Sequence, residues 1–394
     1  MIRELRTGLL KPLLIAVMLA WPGPDAMAAT LKDALAGALA RAQIEKPDVS
    51  DDSSSWLAGI PSLTASYIDS QESLGTDEAE VMLNLPIKSR SRRRLDNQLA
   101  DISTRLEHAG NQYQRWLYSG LVRERAWAAR LAQVELHAAE EKLATLSSLE
   151  QRSAQLSSSG ALPAYASLII QRELVSARMT LDAREADLET RLADYRALTG
   201  LNTLPADLSE NNTVPGELVY AEHPAMRRLE QARAQEAALL ALSAPDSASW
   251  NLALVARNFE GPTLEEEQYG MQIQMPLNFL GTKTTGNSSE IRSSRRDFML
   301  ARDELWLNLK QQWETTEVQA RHLHSRMTLL NQAVALDKRI ESHILALRAG
   351  NEIEDEILLQ RLLDVVDTRA ELAITRELVD RNKARLRQAA GWSL

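Results

Sequence analysis

Three shortages narrow the classes of protein to which this sequence of 394 residues can belong. It has no cysteine, so we expect neither a disulfide nor a lipid-carrying N-terminal cysteine in the mature chain. Aromatic residues make up only 5% of the chain, whereas Ala, Leu, Glu, Arg and Gln dominate the middle of each half. That composition is typical of long helices packed side by side. Acidic residues outnumber basic ones, and the net charge of −9 argues against nucleic acid as the main partner.

The sequence also lacks the arrangements of residues on which most enzymes depend. There is no cysteine nucleophile, no glycine-rich phosphate loop and no serine in a nucleophile context, so we expect no enzymatic activity and no cofactor. His322 and His324 lie two positions apart, which places them on different sides of a helix, and the other four histidines are scattered. No metal-ligand spacing appears, and we interpret the histidines as surface residues.

The N-terminus has the three parts of a secretory signal peptide. Basic residues are followed by the apolar run Leu13–Trp21 and then by the small-residue site Ala26, Met27 and Ala28. This order predicts a signal peptide over residues 1–28. The alternative, a helix anchored in the membrane, needs about 20 apolar residues. No later apolar run approaches that length, so a chain of this sequence that enters a bilayer is expected to do so as strands.

The dominant feature of the sequence is an internal duplication, because the stretch Val81–Glu124 occurs again 190 residues later without an insertion. Identical residues at this spacing include proline and tryptophan, which are infrequent enough to make coincidence a poor explanation. The identical pairs are Pro86 and Pro276, Asn97 and Asn287, Ser103 and Ser293, Arg105 and Arg295, Trp116 and Trp306, Leu117 and Leu307, and Glu124 and Glu314. Gly160 and Gly350 keep the same spacing.

In the duplicated stretch the spacing of the apolar residues changes from every second residue to a helical spacing. Before Pro86, apolar residues occupy every second position, at Val81, Leu83 and Leu85. Beyond Pro86 the apolar residues are three and four apart. Each half is therefore predicted as a β-hairpin followed by a long helix, a glycine turn and a returning helix. The first repeat, residues 29–200, is predicted to have strands at about 60–68 and 80–87 and helices at about 89–157 and 163–199. The second, residues 201–394, is predicted to have strands at about 250–258 and 269–277 and helices at about 288–348 and 354–390.

Four strands in two distant hairpins cannot close a barrel, and an open sheet edge in lipid leaves backbone groups unpaired. Closure must therefore come from other copies of the chain. Two copies give eight strands, whose interior the side chains would fill, and three give twelve, which plausibly leave a pore. The first repeat also has a shorter leading helix, Leu31–Glu45, than the second, Pro224–Ser243.

With its signal peptide, its two repeats of hairpin and long helices, and the glycines Gly160 and Gly350 at the helical tips, the chain resembles the TolC-like outer-membrane efflux channels. The resemblance covers essentially all of the mature chain. It implies a homotrimer with a twelve-stranded β-barrel in the outer membrane, continued by a helical barrel across the periplasm. It further implies the exit duct of a tripartite efflux system, exporting small molecules or cations, with a periplasmic adaptor and an inner-membrane pump as partners. The alternative is a periplasmic adaptor or other coiled-coil scaffold, which would carry one helical hairpin rather than two.

The resemblance assigns the helical tips to the periplasmic entrance and to contact with the adaptor, through Gly160 and Gly350. Family members usually have a carboxylate six residues beyond each tip glycine; Glu356 fits this pattern and Ala166 does not. With three further acids close by, three copies would bring twelve carboxylates toward one axis, which predicts a ring that attracts cations. The four acids are Glu352, Glu354, Asp355 and Glu356. The alternative is that acids in a first helical turn only complement the helix dipole.

A basic cluster follows the strand at the junction with the first long helix. Its members are Lys88, Arg90, Arg92, Arg93 and Arg94. Strand ends of a membrane barrel lie at the interface, so one hypothesis is contact with lipid headgroup phosphates. The other is a solvated helix start without a partner. Trp116 and Trp306, which recur at the same depth of each long helix, are interpreted as packing residues rather than as a ligand platform.

Overall fold

The computed structural model describes ten stretches of the chain. They are residues 30–42, 54–72, 74–158, 164–210, 213, 215–243, 249–262, 265–275, 285–349 and 355–394. The helices are α1 Leu31–Arg41, α2 Arg90–Ser158, α3 Ala164–Thr199, α4 Pro224–Leu242, α5 Thr285–Ala349 and α6 Asp355–Ala389, with a short 3₁₀ turn at Tyr220–Glu222. The strands are β1 Ser62–Ile68, β2 Asp77–Ile87, β3 Trp250–Glu260 and β4 Glu265–Gln274. The predicted mostly helical fold with a small antiparallel sheet is confirmed.

Two helices are far longer than a compact domain requires. Helix α2 has 69 residues and α5 has 65, which correspond to lengths of roughly 100 Å at a rise of 1.5 Å per residue. Within the described stretches, no helix is long and apolar enough to cross a membrane. Helix α2 is central to the helical part, because α1, α3, α4 and α6 all pack along it, whereas α5 packs mainly on α6 and α4.

The helix ends have local causes in the sequence. Ser89 precedes α2, and its hydroxyl accepts a hydrogen bond from the backbone N–H of Arg92 at 3.2 Å. The returning helices α3 and α6 are followed by Gly200 and Gly391, whose φ angles are +78° and +86°. A left-handed backbone at this position strongly favours glycine, because glycine has no Cβ to clash with the carbonyl. These two glycines are 191 residues apart, one more than the spacing in the duplicated stretch.

The four strands form one antiparallel sheet in the order β1-β2-β3-β4. Each sequence-local hairpin is present, and the two hairpins are joined by eleven residue pairs between β2 and β3, from Asp77 opposite Glu260 to Ile87 opposite Trp250. Strands β1 and β4 are the edges of the sheet. The sheet therefore unites the two repeats, and each chain presents two strand edges.

A buried cluster surrounds α1 in the helical part. Leu31, Ala34 and Ala38 of α1 pack with Val122 and Ala126 of α2. Trp127, Tyr195, Leu208 and Ala384 complete the cluster. Because these residues come from α2, α3, α6 and the connection after α3, the cluster fixes the first leading helix against both repeats.

Candidate functional site

The sheet has one face that is apolar across all four strands. In an antiparallel sheet, residues that lie opposite each other point to the same face, so the register defines each face. One row consists of Leu63, Leu83, Leu254 and Met271. The rows on either side continue the apolar pattern with Ala65, Val81, Ala256 and Tyr269, and with Leu85, Leu252 and Ile273.

Within the described stretches, no other part of the chain covers this apolar face. Leu63 is 69% exposed, Met271 is 66% exposed and Tyr269 is 79% exposed. Contiguous exposed apolar surface of this kind marks a membrane or protein interaction site. The face is therefore a candidate lipid-contacting surface.

The opposite face of the same strands is mainly polar. Successive rows contain Ser62, Asn84, Ala253 and Gln272, then Thr64, Met82, Val255 and Gly270, and then Ser66, Glu80, Arg257 and Gln268. Arg257 forms ion pairs with Glu80 and, at 3.7 Å, with Glu78 on the neighbouring strand. A polar face lined by amides, hydroxyls and paired charges is suited to contact with water.

The basic cluster at the end of β2 divides into two groups. The Nζ atom of Lys88 lies 2.8 Å from an oxygen of Asp96, and the Nε atom of Arg92 lies 3.2 Å from the other oxygen. Arg92 also donates to the carbonyl of Leu242 at the end of α4 at 3.2 Å. Arg90, Arg93 and Arg94 are exposed. Within the basic cluster, these three arginines are the members exposed to solvent.

The predicted entrance residues lie at the limit of the described chain. Gly160, Gly350, Glu352 and Glu354 fall outside the described residues. Asp355 and Glu356 are the first two residues of α6. The predicted roles of these six residues stay predictions.

A buried ionic network joins α2, α6 and the connection between the repeats. The guanidinium of Arg123 donates two hydrogen bonds of 2.7 Å to the carboxylate of Glu210, and Arg387 donates to the same carboxylate at 3.1 Å. Arg123 also donates to the side chain of Gln388 at 2.6 Å, and Arg387 to the carbonyl of Thr213 at 2.7 Å. The side chains of Arg123 and Arg387 are almost fully buried. Sequence reasoning missed this network, because its members are far apart along the chain and carry no local pattern.

The two repeated tryptophans have different surroundings. The indole N–H of Trp116 donates to the carbonyl of Gln388 at 2.8 Å, and its ring meets the ring of His223 edge-on with centroids 4.8 Å apart. Trp306 lies near Tyr220, with centroids 5.5 Å apart, and is 38% exposed. Trp116 is thus a packing residue, whereas Trp306 has a partly free surface.

His223, at the start of α4, is fully buried, so the interpretation of the histidines as surface residues is wrong for this one. Its Nδ1 atom accepts a hydrogen bond from the N–H of Ala225 at 3.2 Å and so caps the helix. Its Nε2 atom has no hydrogen-bond partner. Burial lowers the pKa of His223 from its ordinary value of 6.5 to about 4. The imidazole is therefore neutral in the folded chain. Within the described residues, no group of three or more potential metal ligands occurs.

No protein-family model matches the sequence, and no curated protein matches it. Solved structures do match the fold. The structure of CusC, described in terms of transmembrane channel formation, is 16% identical, with 85% of this chain and 84% of that chain covered and a TM-score of 0.63. The outer membrane protein VceC from Vibrio cholerae is 13% identical, with 85% and 86% covered and a TM-score of 0.63. The open state of the MtrE outer membrane channel from Neisseria gonorrhoeae is 15% identical, with 84% and 81% covered and a TM-score of 0.60.

These similarities extend over most of each chain, and they concern the arrangement of strands and long helices rather than the sequence. The chain has the fold of the TolC-like outer-membrane channels, and the resemblance in fold predicted from the sequence is confirmed.

Proposed function

We propose that the chain is the outer-membrane exit duct of a tripartite efflux system. Three copies form a passive channel that carries small molecules or cations across the periplasm and the outer membrane. The observation that carries the proposal is the sheet with one exposed apolar face, one polar face and two free edges. A membrane barrel built from several copies requires all three properties of each copy, because lipid lies outside the barrel, water lies inside it, and the edge strands of neighbouring copies must pair to close it.

The size of the apolar face supports a membrane location. On β2 it extends from Ala79 to Ile87, which corresponds to roughly 26 Å along the strand at about 3.3 Å per residue. The outward apolar band of an outer-membrane barrel is about 25 Å tall, and its strands are tilted. At a strand tilt of about 40° the face covers roughly 20 Å along the membrane normal, which is most of the height of that band.

The free edges support assembly from several copies. The backbone groups along the outer sides of β1 and β4 have no strand partner within the described chain, and unpaired backbone groups are costly in lipid. Pairing β4 of one copy with β1 of the next satisfies both edges. Three copies give twelve strands, which leave a lumen, whereas the eight strands of a dimer would be filled by side chains.

The helices supply the remaining length of the duct. Helices of roughly 100 Å are too long for the barrel alone and fit a periplasmic extension that reaches an adaptor and an inner-membrane pump. In this arrangement the tips at Gly160 and Gly350 contact the adaptor. Arg90, Arg93 and Arg94 contact lipid phosphates at the inner end of the barrel, since they follow directly after β2 and are exposed.

The acidic residues Glu352, Glu354, Asp355 and Glu356 form a ring at the periplasmic entrance in this proposal and raise the local concentration of cations. The test is the reversal potential of the purified channel in a planar bilayer under a salt gradient, before and after Glu352→Gln with Glu356→Gln. A shift toward lower cation preference is expected, and it should shrink at high salt because long-range electrostatic effects are screened. An unchanged reversal potential contradicts the ring and leaves the channel itself in place.

The lipid-facing role of the sheet is tested with two adjacent positions on opposite faces. Leu83 is in the apolar row and Met82 is on the other face, opposite Thr64 and Val255. We expect Leu83→Arg to destabilise the membrane-inserted form by about 2–4 kcal/mol if the residue lies near the bilayer midplane. Met82→Arg is the control and should assemble nearly as well as the wild type.

The readouts are the detergent dependence of extraction from the envelope, heat-modifiable migration on gels, and the mass of the solubilised oligomer. A stable monomer or dimer of the wild type would contradict the trimeric channel. Equal assembly of the Leu83→Arg and Met82→Arg variants would contradict the assignment of the two faces.

A further inference from the structure

The groove between α5 and α6 contains an open cleft of about 510 Å³. On the α5 side, the residues that line it are three or one apart, so they lie on one face of the helix. They all have uncharged polar side chains and form the amide stripe, which consists of Asn308, Gln311, Gln312, Thr315, Thr316 and Gln319. The charged residues of the same segment, Lys310, Glu314 and Glu317, fall on other faces at 3.6 residues per turn.

The amide stripe differs from the surface that a solvated helix usually presents. Glu, Lys and Arg are good helix formers, whereas Asn and Thr are weaker ones. Asn308 and Thr315 are exposed, so burial does not account for their presence. Local helix propensity is thus given up without any burial in return, and departures of this kind are typical of functional positions.

Much of the hydrogen-bonding capacity of the cleft is unused within the chain. In the part of the chain that the structure describes, the four side-chain amides of the stripe form no hydrogen bond or ion pair. Each of these amides has two N–H donors and one carbonyl acceptor. Arg385, on the α6 side of the cleft, uses one nitrogen for the carboxylate of Glu124, and its guanidinium has further donors. The cleft therefore offers both donors and acceptors to a ligand.

The chemistry of the cleft excludes several classes of macromolecular ligand. A groove that binds a helix must be apolar, and strand addition needs a free strand edge, but among the described residues that line the cleft Ala389 is the one apolar member. Nucleic acid requires clustered cations, whereas Arg385 is paired with Glu124. A glycan fits these constraints, because its hydroxyl and acetamido groups both donate and accept hydrogen bonds without carrying charge.

The position of the cleft indicates where such a glycan would come from. The corresponding face of α2 is covered by α1. A helix in that place on the inner side of a ring of copies would obstruct the duct, so we expect the equivalent grooves of both repeats to open outward. The amide stripe lies roughly 35–50 Å along α5 from its first residue, Thr285. In the proposed channel this depth is in the periplasm, where the cell wall surrounds the duct.

We propose that the amide stripe and Arg385 bind an N-acetylated glycan strand of the cell wall, that is, of peptidoglycan. Hydroxyl and acetamido groups of the strand pair with the free amides, and Arg385 donates to a carbonyl oxygen of the glycan. The volume of the cleft is in the range of ligand sites in proteins, and the stripe spans roughly 16 Å, the length of a few sugar rings. The inference rests on the proposed function for the periplasmic location, and it gives the duct a second role as a point of attachment to the cell wall.

The test is co-sedimentation of the purified, detergent-solubilised protein with protein-free peptidoglycan sacculi. Gln312→Ala with Gln319→Ala removes two amides from the stripe, and alanine is a better helix former than glutamine, so the variant is expected to fold. Its apparent dissociation constant for sacculi should rise about tenfold. The matched control is Gln332→Ala with Gln360→Ala, which changes two exposed glutamines outside the cleft and should bind like the wild type. Equal binding by the two double variants overturns the glycan site.

Competition identifies the chemical group that is bound. Glycan strands freed of their peptides by an amidase should displace the wild type from sacculi, whereas the stem peptides alone should not. Displacement by the stem peptides and not by the glycan strands overturns glycan recognition. Stronger displacement by lipopolysaccharide than by the glycan strands overturns the assignment to the cell wall.

Native mass spectrometry of the same samples separates this inference from the proposed function. A wild-type trimer that does not sediment with sacculi overturns the glycan site and leaves the channel in place. A wild-type monomer overturns the trimeric channel, and weaker binding by Gln312→Ala with Gln319→Ala would then still support the glycan site.

Discussion

The groove between α2 and α3 and the groove between α5 and α6 occupy equivalent places in the two repeats, yet their surfaces differ. In the first, α1 lies in the groove and covers Val122 and Ala126, both of which are fully buried. In the second, the corresponding residues are Gln312 and Thr316, and they line an open cleft of about 510 Å³. Asn308, Gln311, Thr315 and Gln319 line the same cleft.

The leading helices explain this difference. Helix α1 approaches α3 closely, since a Cβ on Gly37 would lie 2.2 Å from the carbonyl oxygen of Thr199, and Arg41 donates to the carbonyl of Arg196 at 3.0 Å. Helix α4, its counterpart, packs instead between α2 and α5, where Gln235 donates to Ser103 at 3.2 Å. Duplicated positions have thus become apolar where a helix covers them and polar where water reaches them, as the cost of burying unpaired polar groups requires.

The largest effect is expected in the buried ionic network that joins the two repeats. Position 123 is an arginine paired with Glu210, whereas the corresponding position in the second repeat, Trp313, packs in an apolar cluster with Leu386. Glu210→Gln leaves two buried guanidinium groups without a counter-charge and should lower the free energy of unfolding by about 3–5 kcal/mol. Urea titration in detergent measures this.

The control for this prediction is Asp207→Asn in the same connection. The carboxylate of Asp207 accepts a hydrogen bond from the N–H of Ser209 at 2.7 Å and is exposed. Its substitution should change the free energy of unfolding by no more than about 0.5 kcal/mol. Equal effects of the two substitutions would show that the network contributes nothing as an ionic cluster.

The second prediction concerns the caps of the two leading helices. Helix α1 is capped by Thr30, which does not titrate, and α4 by His223, whose pKa burial lowers to about 4. At pH values between about 4 and 6.5 the unfolded chain binds a proton at this histidine and the folded chain does not. The contribution of the neutral His223 to the free energy of unfolding is therefore complete above about pH 6.5. It decreases by about 3 kcal/mol in total as the pH falls toward 4.

The measurement is the free energy of unfolding as a function of pH for the wild type and for His223→Asn. Asparagine is a good helix cap, so the variant keeps an acceptor for the N–H of Ala225 and loses only the titrating group. The difference between the two curves should change between pH 6.5 and 4. A constant difference across this range would show that His223 is not buried as a neutral group.

The third prediction exchanges the two groove surfaces. Val122→Gln places an amide beneath α1, where it finds no water, and should lower the free energy of unfolding by about 1–3 kcal/mol. Gln312→Val places an apolar side chain in the open cleft and should change it by less than about 0.5 kcal/mol. Thermal unfolding of both variants in detergent checks this asymmetry, and similar effects would mean that the second groove is covered as well.

Much of this fold follows from periodicity, which is a local property. The returning helix predicted at about 163–199 lies at Ala164–Thr199, because helical spacing and a terminal glycine are both readable in the sequence. The pairing of β2 with β3 was not predicted, since strands that end far apart along the chain carry no local sign of their partner. The pairing of Arg92 with Asp96 could have been found, because the two residues are four apart on a helix.

The buried ionic network, in contrast, could not be predicted from local sequence patterns. In the sequence, Arg123 looks like any surface cation on a polar helix, and only the packing of α6 and of the connection around it makes it a buried one. The apolar face of the sheet was readable strand by strand, but its continuity across four strands depends on the register. Tertiary contacts decide both of these features, and sequence patterns are silent about them.

The smallest effect is expected at the N-terminal cap of α1, the helix that lies in the groove between α2 and α3. The hydroxyl of Thr30 accepts from the N–H of Asp33 at 3.3 Å, and the carboxylate of Asp33 accepts from the N–H of Thr30 at 2.8 Å. Thr30→Ala removes one half of this reciprocal pair and should cost about 1 kcal/mol. We expect α1 to open locally while the rest of the chain stays folded, so its amide hydrogens should exchange about fivefold faster in the variant. Hydrogen-exchange mass spectrometry of residues 31–41 measures this, with α4 as the internal reference. If exchange accelerates equally in α1 and α4, α1 unfolds only with the whole molecule. The two grooves then differ in the polarity of their residues, but α1 does not open independently of the rest of the chain.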